Sequence, residues 1–316
     1  MFRENGALSN ETNKENLLRL SLDECVSAEK RVVELYEYAY LLAEAAYALS
    51  VDGLGIYEII GALLEPETAA VEYGGVLAQN RERVMHYLNA SSALDRAYFV
   101  KFFVAALSEL GLVLSEESFL PSGNGDESFT YVKNRLADEA YDVLSEEFSD
   151  PRVFYAADLR EAARAVRDGK VAHCLLPLEE KGGARIGVVS DLLYSFDLKI
   201  NSVTPVFGFD GNADMKYARV SRHFTIPEIG EDDDRYLEIR LPYSDISQLS
   251  SLLAAASTLG ISLYRINSTA FENAEGKSQL LSAVFSTTKG SFATFLTYLS
   301  VFMPLYTAVG IYKNLE

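Results

Sequence analysis

The sequence predicts an α+β multidomain protein of three segments: a helical bundle over residues 1–120, an α/β lobe over 121–230 and a βαββαβ unit over 231–316. Three observations lead to this prediction. The chain has 316 residues, which is longer than one average domain. Its first third contains only helical spacing of apolar residues, whereas strand and helix patterns alternate afterwards. Turn-forming or acidic residues separate the three segments.

The first segment contains three predicted helices. Ser21 and Glu24 form a capping-box pattern, which favours a helix that begins at Ser21 and continues to Leu49. A second helix is expected over 66–88 and a third over 92–110. Because the expected connections are short, these helices are predicted to form an antiparallel bundle.

The second segment follows the turn-rich stretch 121–126 and alternates strands with helices. Strands are predicted over 129–132, 153–155, 171–176 and 199–207, and helices over 136–148, 159–167 and 186–194. Such alternation indicates a mostly parallel sheet with helices packed on it.

The third segment follows the acidic run 228–234, which lacks the ligand spacing of an EF-hand loop and is typical of a solvated linker. Strands are predicted over 236–241, 262–270, 280–286 and 305–312, and helices over 247–259 and 292–302. This order is that of a ferredoxin-like βαββαβ unit.

Charge composition limits the partners. The chain has 46 acidic and 28 basic residues and a net charge of −18, which argues against binding nucleic acid or an anionic membrane surface. The charge-free stretch 291–312 contains Ser, Thr and Tyr throughout and Pro304 at its centre, so we expect buried core and no membrane span. Two distant cysteines, Cys25 and Cys174, and no apolar run of signal-peptide length favour a reduced, cytoplasmic setting.

No cofactor is expected. The three histidines, His86, His173 and His223, have no metal-ligand spacing. The sequence also contains no phosphate loop, no dinucleotide-binding glycine pattern after a strand and no nucleophile elbow.

The stretch 171–180 reads Val-Ala-His-Cys-Leu-Leu-Pro-Leu-Glu-Glu, and it resembles the strand and loop of prephenate dehydratases, whose loop reads Leu-Pro-Ile-Glu-Asn-Ser. The stretch 191–193 matches the Asp-Leu-Leu with which the family's next helix opens, and Leu198 and Ile200 match its following strand. The resemblance covers 129–316, and its last part is similar to the ACT domain of that family. It implies a periplasmic-binding-protein-like lobe, a role in phenylalanine metabolism and a homo-oligomer that associates through the ACT domain.

The sequence departs from the family where the second lobe should be. Only 208–214 separates the predicted strand 199–207 from Met215-Lys216-Tyr217, the position of the family's Thr-Arg-Phe. So short a segment forms a turn and not a lobe. In the family the Thr hydroxyl is the catalytic group, and Met215 has no proton to donate. Ordinary dehydratase activity is therefore not expected.

The resemblance implies two sets of candidate site residues. In the lobe, Glu179, Lys216 and Tyr217 would be catalytic, with Lys216 binding a carboxylate and Tyr217 donating a proton, while Glu180 and Lys181 would bind the ligand. In the ACT segment, ligand-binding motifs of the family fall on Ser247, Gln248 and Leu249 and on Asn267, Ser268 and Thr269. A purely structural role is favoured for both sets, the first capping a helix and the second ending a strand.

We therefore expect a non-catalytic regulatory or sensing protein whose partner is a small molecule, either an amino acid or a prephenate-like compound. One alternative is an active prephenate dehydratase whose cleft is completed by the helical segment or by a partner subunit. The other is an assembly module that binds no ligand.

Overall fold

The computed structural model describes residues 5–51, 75–123, 127–207, 213–228, 234–243, 246–273, 276–288 and 290–315. The chain divides into two units, Met1–Val113 and Leu114–Glu316. The division into three domains with boundaries at 120 and 230 stays a prediction.

The described residues of the first unit form three helices, and α1 packs against the other two. They are α1 (Asn5–Val51), α2 (Gly75–Ala90) and α3 (Ala93–Glu109). The predicted start of the first helix at Ser21 is wrong, because Ser21 and Glu24 lie inside α1. No glycine or proline interrupts residues 7–51, so the helix continues through the capping-box pattern. The predicted start of the second helix at 66 lies outside the described residues.

Helix α3 begins where the sequence predicts it. The Ser92 hydroxyl accepts a hydrogen bond from the Asp95 backbone N–H at 3.2 Å, and the Asp95 carboxylate accepts one from the Ser92 N–H at 3.3 Å. This reciprocal pair satisfies two backbone groups at the helix start.

Replacing Ser92 with alanine is expected to destabilise the helical unit by about 1 kcal/mol, because the Asp95 N–H loses its acceptor. Urea unfolding followed by far-UV circular dichroism measures the change. The control is Ser108→Ala within α3, where no helix start is affected. Equal midpoints for the two variants would contradict the capping role.

The second unit contains nine strands, five helices and one 3-10 turn at Glu116–Ser118 among its described residues. In chain order its elements are β1 (Ser128–Tyr131), α4 (Arg135–Leu144), β2 (Arg152–Tyr155), α5 (Leu159–Arg167), β3 (His173–Glu180), α6 (Gly187–Ser195), β4 (Lys199–Phe207), β5 (Ala213–Ser221), β6 (Arg235–Tyr243), α7 (Ile246–Thr258), β7 (Ser262–Asn273), β8 (Gly276–Thr287), α8 (Ala293–Phe302) and β9 (Thr307–Lys313).

All nine strands belong to one sheet of order β2-β1-β3-β5-β4-β9-β6-β8-β7. Only β1, β2 and β3 form the parallel arrangement expected for the lobe. Strand β5, which the sequence analysis did not assign, pairs antiparallel with both β3 and β4. The expectation of a loop at 177–180 is also wrong, because pairing with β5 extends β3 to Glu180. The last segment has the predicted βαββαβ order, whereas its assignment as an ACT domain stays a prediction.

The lobe and the last segment share one core. Buried residues of α5, α6 and β3 pack in the same cluster as Tyr236 of β6, Val309 of β9 and Tyr312 of β9. The charge-free stretch 291–312 forms α8 and most of β9, with Phe295, Leu296 and Tyr298 fully buried. In the part of the chain that the structure describes, no helix is both long and apolar enough to cross a membrane.

Gly310 is located where β9 meets β4. A Cβ atom at this position would lie 2.7 Å from both the Cβ and the carbonyl oxygen of Ile200, its partner on β4. Backbone at that distance cannot rotate away as a side chain could, so the two strands would have to separate.

Gly310→Ala is therefore expected to lower the free energy of unfolding by about 1–3 kcal/mol through overpacking. Chemical denaturation measures it. The matched control is Gly187→Ala at the start of α6, where an added Cβ meets no atom within 4 Å. If both variants unfold at the same denaturant concentration, β4 and β9 do not approach as closely as described.

Candidate functional site

A group of buried and half-buried charged side chains lies inside the second unit, and we call it the charge cluster. It is built by two strands of the lobe, the turn before α6 and two strands of the last segment. Its members are Glu179 of β3, Arg185 of the β3–α6 turn, Lys216 of β5, Glu238 and Arg240 of β6, and Arg265 of β7.

Glu179 is the centre of the cluster, and its side chain is only 6% exposed. Arg265 binds it with both terminal nitrogens, at 2.5 Å from Nη1 to Oε1 and 3.1 Å from Nη2 to Oε2. Arg185 Nε lies 3.7 Å from Oε1, and Lys216 Nζ lies 3.9 Å from Oε2. Both carboxylate oxygens of Glu179 are thus occupied by cations, and a bidentate arginine contact is the stronger kind.

The contact between Glu179 and Arg265 requires a curled sheet. Five strands lie between β3 and β7 in the sheet order. In a flat sheet the two strands would be about 29 Å apart, which exceeds the combined reach of the two side chains. The sheet therefore bends until the last segment covers the end of β3. The concave face so formed contains the charge cluster.

A second ion pair joins Arg185 to Glu238, whose side chain is 4% exposed. Ser282 on β8 donates a hydrogen bond to Oε1 of the same carboxylate at 3.4 Å. Burial lowers the pKa of Arg185, but the charges of Glu238 and Glu179 oppose this effect, and the pKa is raised overall. Burial raises the pKa of the Tyr312 hydroxyl, so this group stays neutral next to the pair. Arg185 is thus held fully charged.

Arg240 adds a further cation to this face. Its Nη2 donates to the Ser190 carbonyl oxygen at 3.0 Å, and its guanidinium lies 5.6 Å from the centre of the Tyr194 ring. Burial lowers the pKa of Arg240, the charge of Glu238 opposes that shift, and the nearby charge of Arg185 adds to it.

The cluster as a whole has an excess of positive charge. The four cations Arg185, Lys216, Arg240 and Arg265 face two buried carboxylates, those of Glu179 and Glu238. Asp191 also acts on Arg240, but it is exposed to solvent.

The turn after β3 brings backbone close to Arg265. The Gly183 N–H donates to the Glu180 carbonyl at 2.9 Å, and Glu180 N–H donates to the Ala184 carbonyl at 2.9 Å. Gly182 and Gly183 have φ values of 90° and 83°, which only glycine adopts without strain. A Cβ at Gly183 would lie 3.6 Å from Arg265 Nη2. The paired glycines therefore form the tight turn that places Arg185 next to Glu179.

The predicted catalytic residues do not all come together. Lys216 lies directly opposite Glu179 on the paired strands and joins the cluster. Tyr217, the next residue of β5, points to the opposite face. There it packs with Phe129 and Val206.

The Tyr217 hydroxyl lies 3.5 Å from the Asn134 side-chain oxygen. Burial raises the pKa of Tyr217, and the contact with Asn134 offsets part of that rise. The structure thus places Tyr217 and Lys216 on opposite faces of β5, and their role in one site stays a prediction.

The other predicted lobe residues lie outside the cluster. Glu180 is exposed at the end of β3. Lys181 is also exposed, and its Nζ lies 3.5 Å from the Asp214 carboxylate.

The two predicted ligand sets of the last segment lie on α7 and β7. Ser247, Gln248 and Leu249 are in the first turn of α7, and Ser247 and Gln248 are exposed. Asn267, Ser268 and Thr269 are on β7, where Asn267 and Ser268 are exposed. Their role in binding a ligand stays a prediction.

Four members of the cluster were not predicted from the sequence. Glu238 and Arg240 alternate with Leu237, Ile239 and Leu241, so they share one face of β6. Charged residues on such a strand were the available indication of a buried polar site. Arg185 and Arg265 had no comparable indication, because their contacts join distant parts of the chain.

No metal site is found within the described ranges, where no three His, Cys, Asp or Glu side chains are grouped as ligands. Cys174 is fully buried in the core, and burial raises the pKa of its thiol. His173 is also buried, between the rings of Phe129 and Phe148.

Comparison with known proteins gives only distant similarities. No protein-family model matches the chain, and no curated protein matches it. The prephenate dehydratase from Streptococcus mutans is 14% identical, with a TM-score of 0.49, over 60% of this chain and 99% of that one. The prephenate dehydratase from Arthrobacter aurescens, solved in complex with L-Phe, is 13% identical, with a TM-score of 0.45, over 58% and 89%. A quorum-quenching acylase is 18% identical, with a TM-score of 0.46, over 60% and 96%. Similarities of this size carry no argument about activity or ligand.

Proposed function

We propose that this protein is a non-catalytic relative of the prephenate dehydratases that binds a small carboxylate, either an amino acid or a prephenate-like compound, and so senses the state of phenylalanine metabolism. The observation that carries the proposal is the excess of cations in the charge cluster, which occurs in a chain of net charge −18.

The cation excess favours an anionic ligand for an energetic reason. Burying a charge without a partner costs several kcal/mol. The four cations share two buried carboxylates, so a bound carboxylate would reduce the repulsion among them. The arginine guanidinium presents paired N–H groups that match a carboxylate. A small carboxylate is therefore the ligand class that fits best.

The same geometry argues against dehydratase chemistry. A general acid or base must have a free site within hydrogen-bonding reach of the reacting group. Both oxygens of Glu179 are taken by cations, and Tyr217 lies on the other face of the sheet. Met215, which occupies the position of the family's threonine, has no proton to donate.

Association is proposed through β7, as expected for an ACT domain. This strand ends the sheet order, and among the described residues β8 alone pairs with it. Leu263 and Tyr264 are 39% and 48% exposed on it. A long edge strand with apolar side chains is a surface that readily pairs with another strand. We propose a cytoplasmic homo-oligomer that contains this pairing.

Thermal unfolding with phenylalanine, tyrosine and prephenate tests the binding proposal. At least one of them should raise the melting temperature, by about 2–4 °C for each kcal/mol of binding free energy gained by the folded state. Phenylalaninamide, which lacks the carboxylate, is the matched control and should have less effect. The absence of a shift with all three ligands would contradict the proposal and favour the assembly module.

A further inference from the structure

Glu179 has more cationic partners than its charge requires. Arg265, Arg185 and Lys216 all lie within 4 Å of its carboxylate oxygens, at 2.5, 3.7 and 3.9 Å. If Arg265 left, the other two would still neutralise Glu179. The loss of Arg265 therefore removes two direct hydrogen bonds from Glu179 but leaves two cations within 4 Å of its carboxylate.

Arg265 is also more open to solvent than the other arginine of this group. Its side chain is 19% exposed, compared with 12% for Arg185. It lies on the edge strand β7, next to the exposed residues Leu263 and Tyr264, and its guanidinium is 5.6 Å from the Tyr264 ring centre. The exposed part of the Arg265 side chain is where a ligand would make its first contact.

The geometry of the existing contact is that of a bound carboxylate. Glu179 accepts two roughly parallel hydrogen bonds from Nη1 and Nη2, which is the arrangement in which arginine binds a free carboxylate ligand. The protein's own side chain occupies these N–H groups.

We infer that Arg265 is the carboxylate-binding residue of this protein and that Glu179 competes with the ligand for it. The ligand carboxylate takes the two N–H groups of Arg265, and Glu179 keeps Arg185 and Lys216. Because Glu179 is on β3 and Arg265 is on β7, this exchange also detaches β7 from β3. Ligand binding is thereby coupled to the release of the edge strand β7 from β3. The inference rests on the proposed function, since it names the residue that receives the ligand.

Isothermal titration of phenylalanine and prephenate into Glu179→Gln and Arg265→Gln tests this exchange. Glu179→Gln keeps the shape of the side chain but removes the competing charge, so the affinity should rise at least tenfold. Arg265→Gln removes the two guanidinium N–H groups that bind the carboxylate, so the affinity should fall at least tenfold. The matched controls are the exposed residues Glu146→Gln and Arg160→Gln, which should bind as the wild type does.

The outcomes separate this inference from the proposed function. If the wild type binds a probe and Glu179→Gln binds it no more tightly, the exchange is overturned and the proposed function stands. If neither the wild type nor Glu179→Gln binds phenylalanine or prephenate, the inference and the proposed function are both overturned. Hydrogen exchange of the wild type gives a second readout that needs no variant. A bound probe should speed exchange at residues 262–268 of β7, and unchanged exchange in the presence of saturating probe would overturn the inference.

Discussion

Replacing Glu116 with alanine is expected to lower the free energy of unfolding of the Leu114–Glu316 unit by about 3–5 kcal/mol. Glu116 Oε1 lies 3.1 Å from Arg235 Nη1 and accepts hydrogen bonds from the Phe292 N–H at 2.9 Å and the Ser291 hydroxyl at 3.1 Å. The Arg235 residue is only 1% exposed, so without Glu116 its charge would remain buried and unpaired.

The expected loss of stability is large because Arg235 has few other hydrogen-bond acceptors among the described residues. Within the described residues, its Nε and Nη2 have no hydrogen-bond partner, and the other acceptor of Nη1 is the Gly290 carbonyl at 3.4 Å. Glu116 also caps the start of α8, where a carboxylate stabilises the free N–H groups. One substitution thus removes an ion pair and a helix cap together.

Urea unfolding measures this effect, with the neighbouring exposed residue as control. Glu117→Ala should change the free energy of unfolding by less than about 0.5 kcal/mol. The double variant Glu116→Ala with Arg235→Met should recover part of the loss, because it no longer buries an unpaired charge. A Glu116→Ala variant as stable as Glu117→Ala would contradict the described pairing.

Replacing Arg185 with alanine is the second change for which we expect a large loss, of about 3 kcal/mol. Arg185 pairs with Glu238, whose side chain is 4% exposed, and it lies 3.7 Å from Glu179. Its removal would leave Glu238 with the Ser282 hydroxyl and the more distant charge of Arg240. It would also release the turn after β3 from β6.

The matched control for this change is Arg160→Ala, which removes an exposed arginine from α5. Chemical denaturation of both variants gives the comparison. Equal stability would mean that the Arg185–Glu238 pair is screened by solvent and contributes little, contrary to its burial in the structure.

Local patterns predicted much of the fold. The serine before α3, the helix over 159–167 and the βαββαβ order of the last segment were all evident from residue spacing and turn residues. Such features depend on neighbours within a few positions along the chain, so they can be predicted from a single sequence. The predicted start of α1 was wrong for the same reason, because a capping pattern inside a long helix looks identical to one at a helix start.

The site could be predicted only in part, because its contacts join residues far apart in sequence. Glu179 and Lys216 were identified through the resemblance, but Arg265 reaches Glu179 only because the sheet curls. The placement of Tyr217 was missed because 213–221 was not assigned as a strand. Had it been, alternation along the strand would have placed Lys216 and Tyr217 on opposite faces.

The most direct test of the central claim is incubation of the purified protein with prephenate, followed by measurement of phenylpyruvate. We expect no more phenylpyruvate than prephenate yields in buffer alone, because Glu179 is held by cations and Tyr217 faces the other side of the sheet. Phenylpyruvate formation that exceeds this background and is abolished by Lys216→Ala would contradict the claim and establish the catalytic alternative.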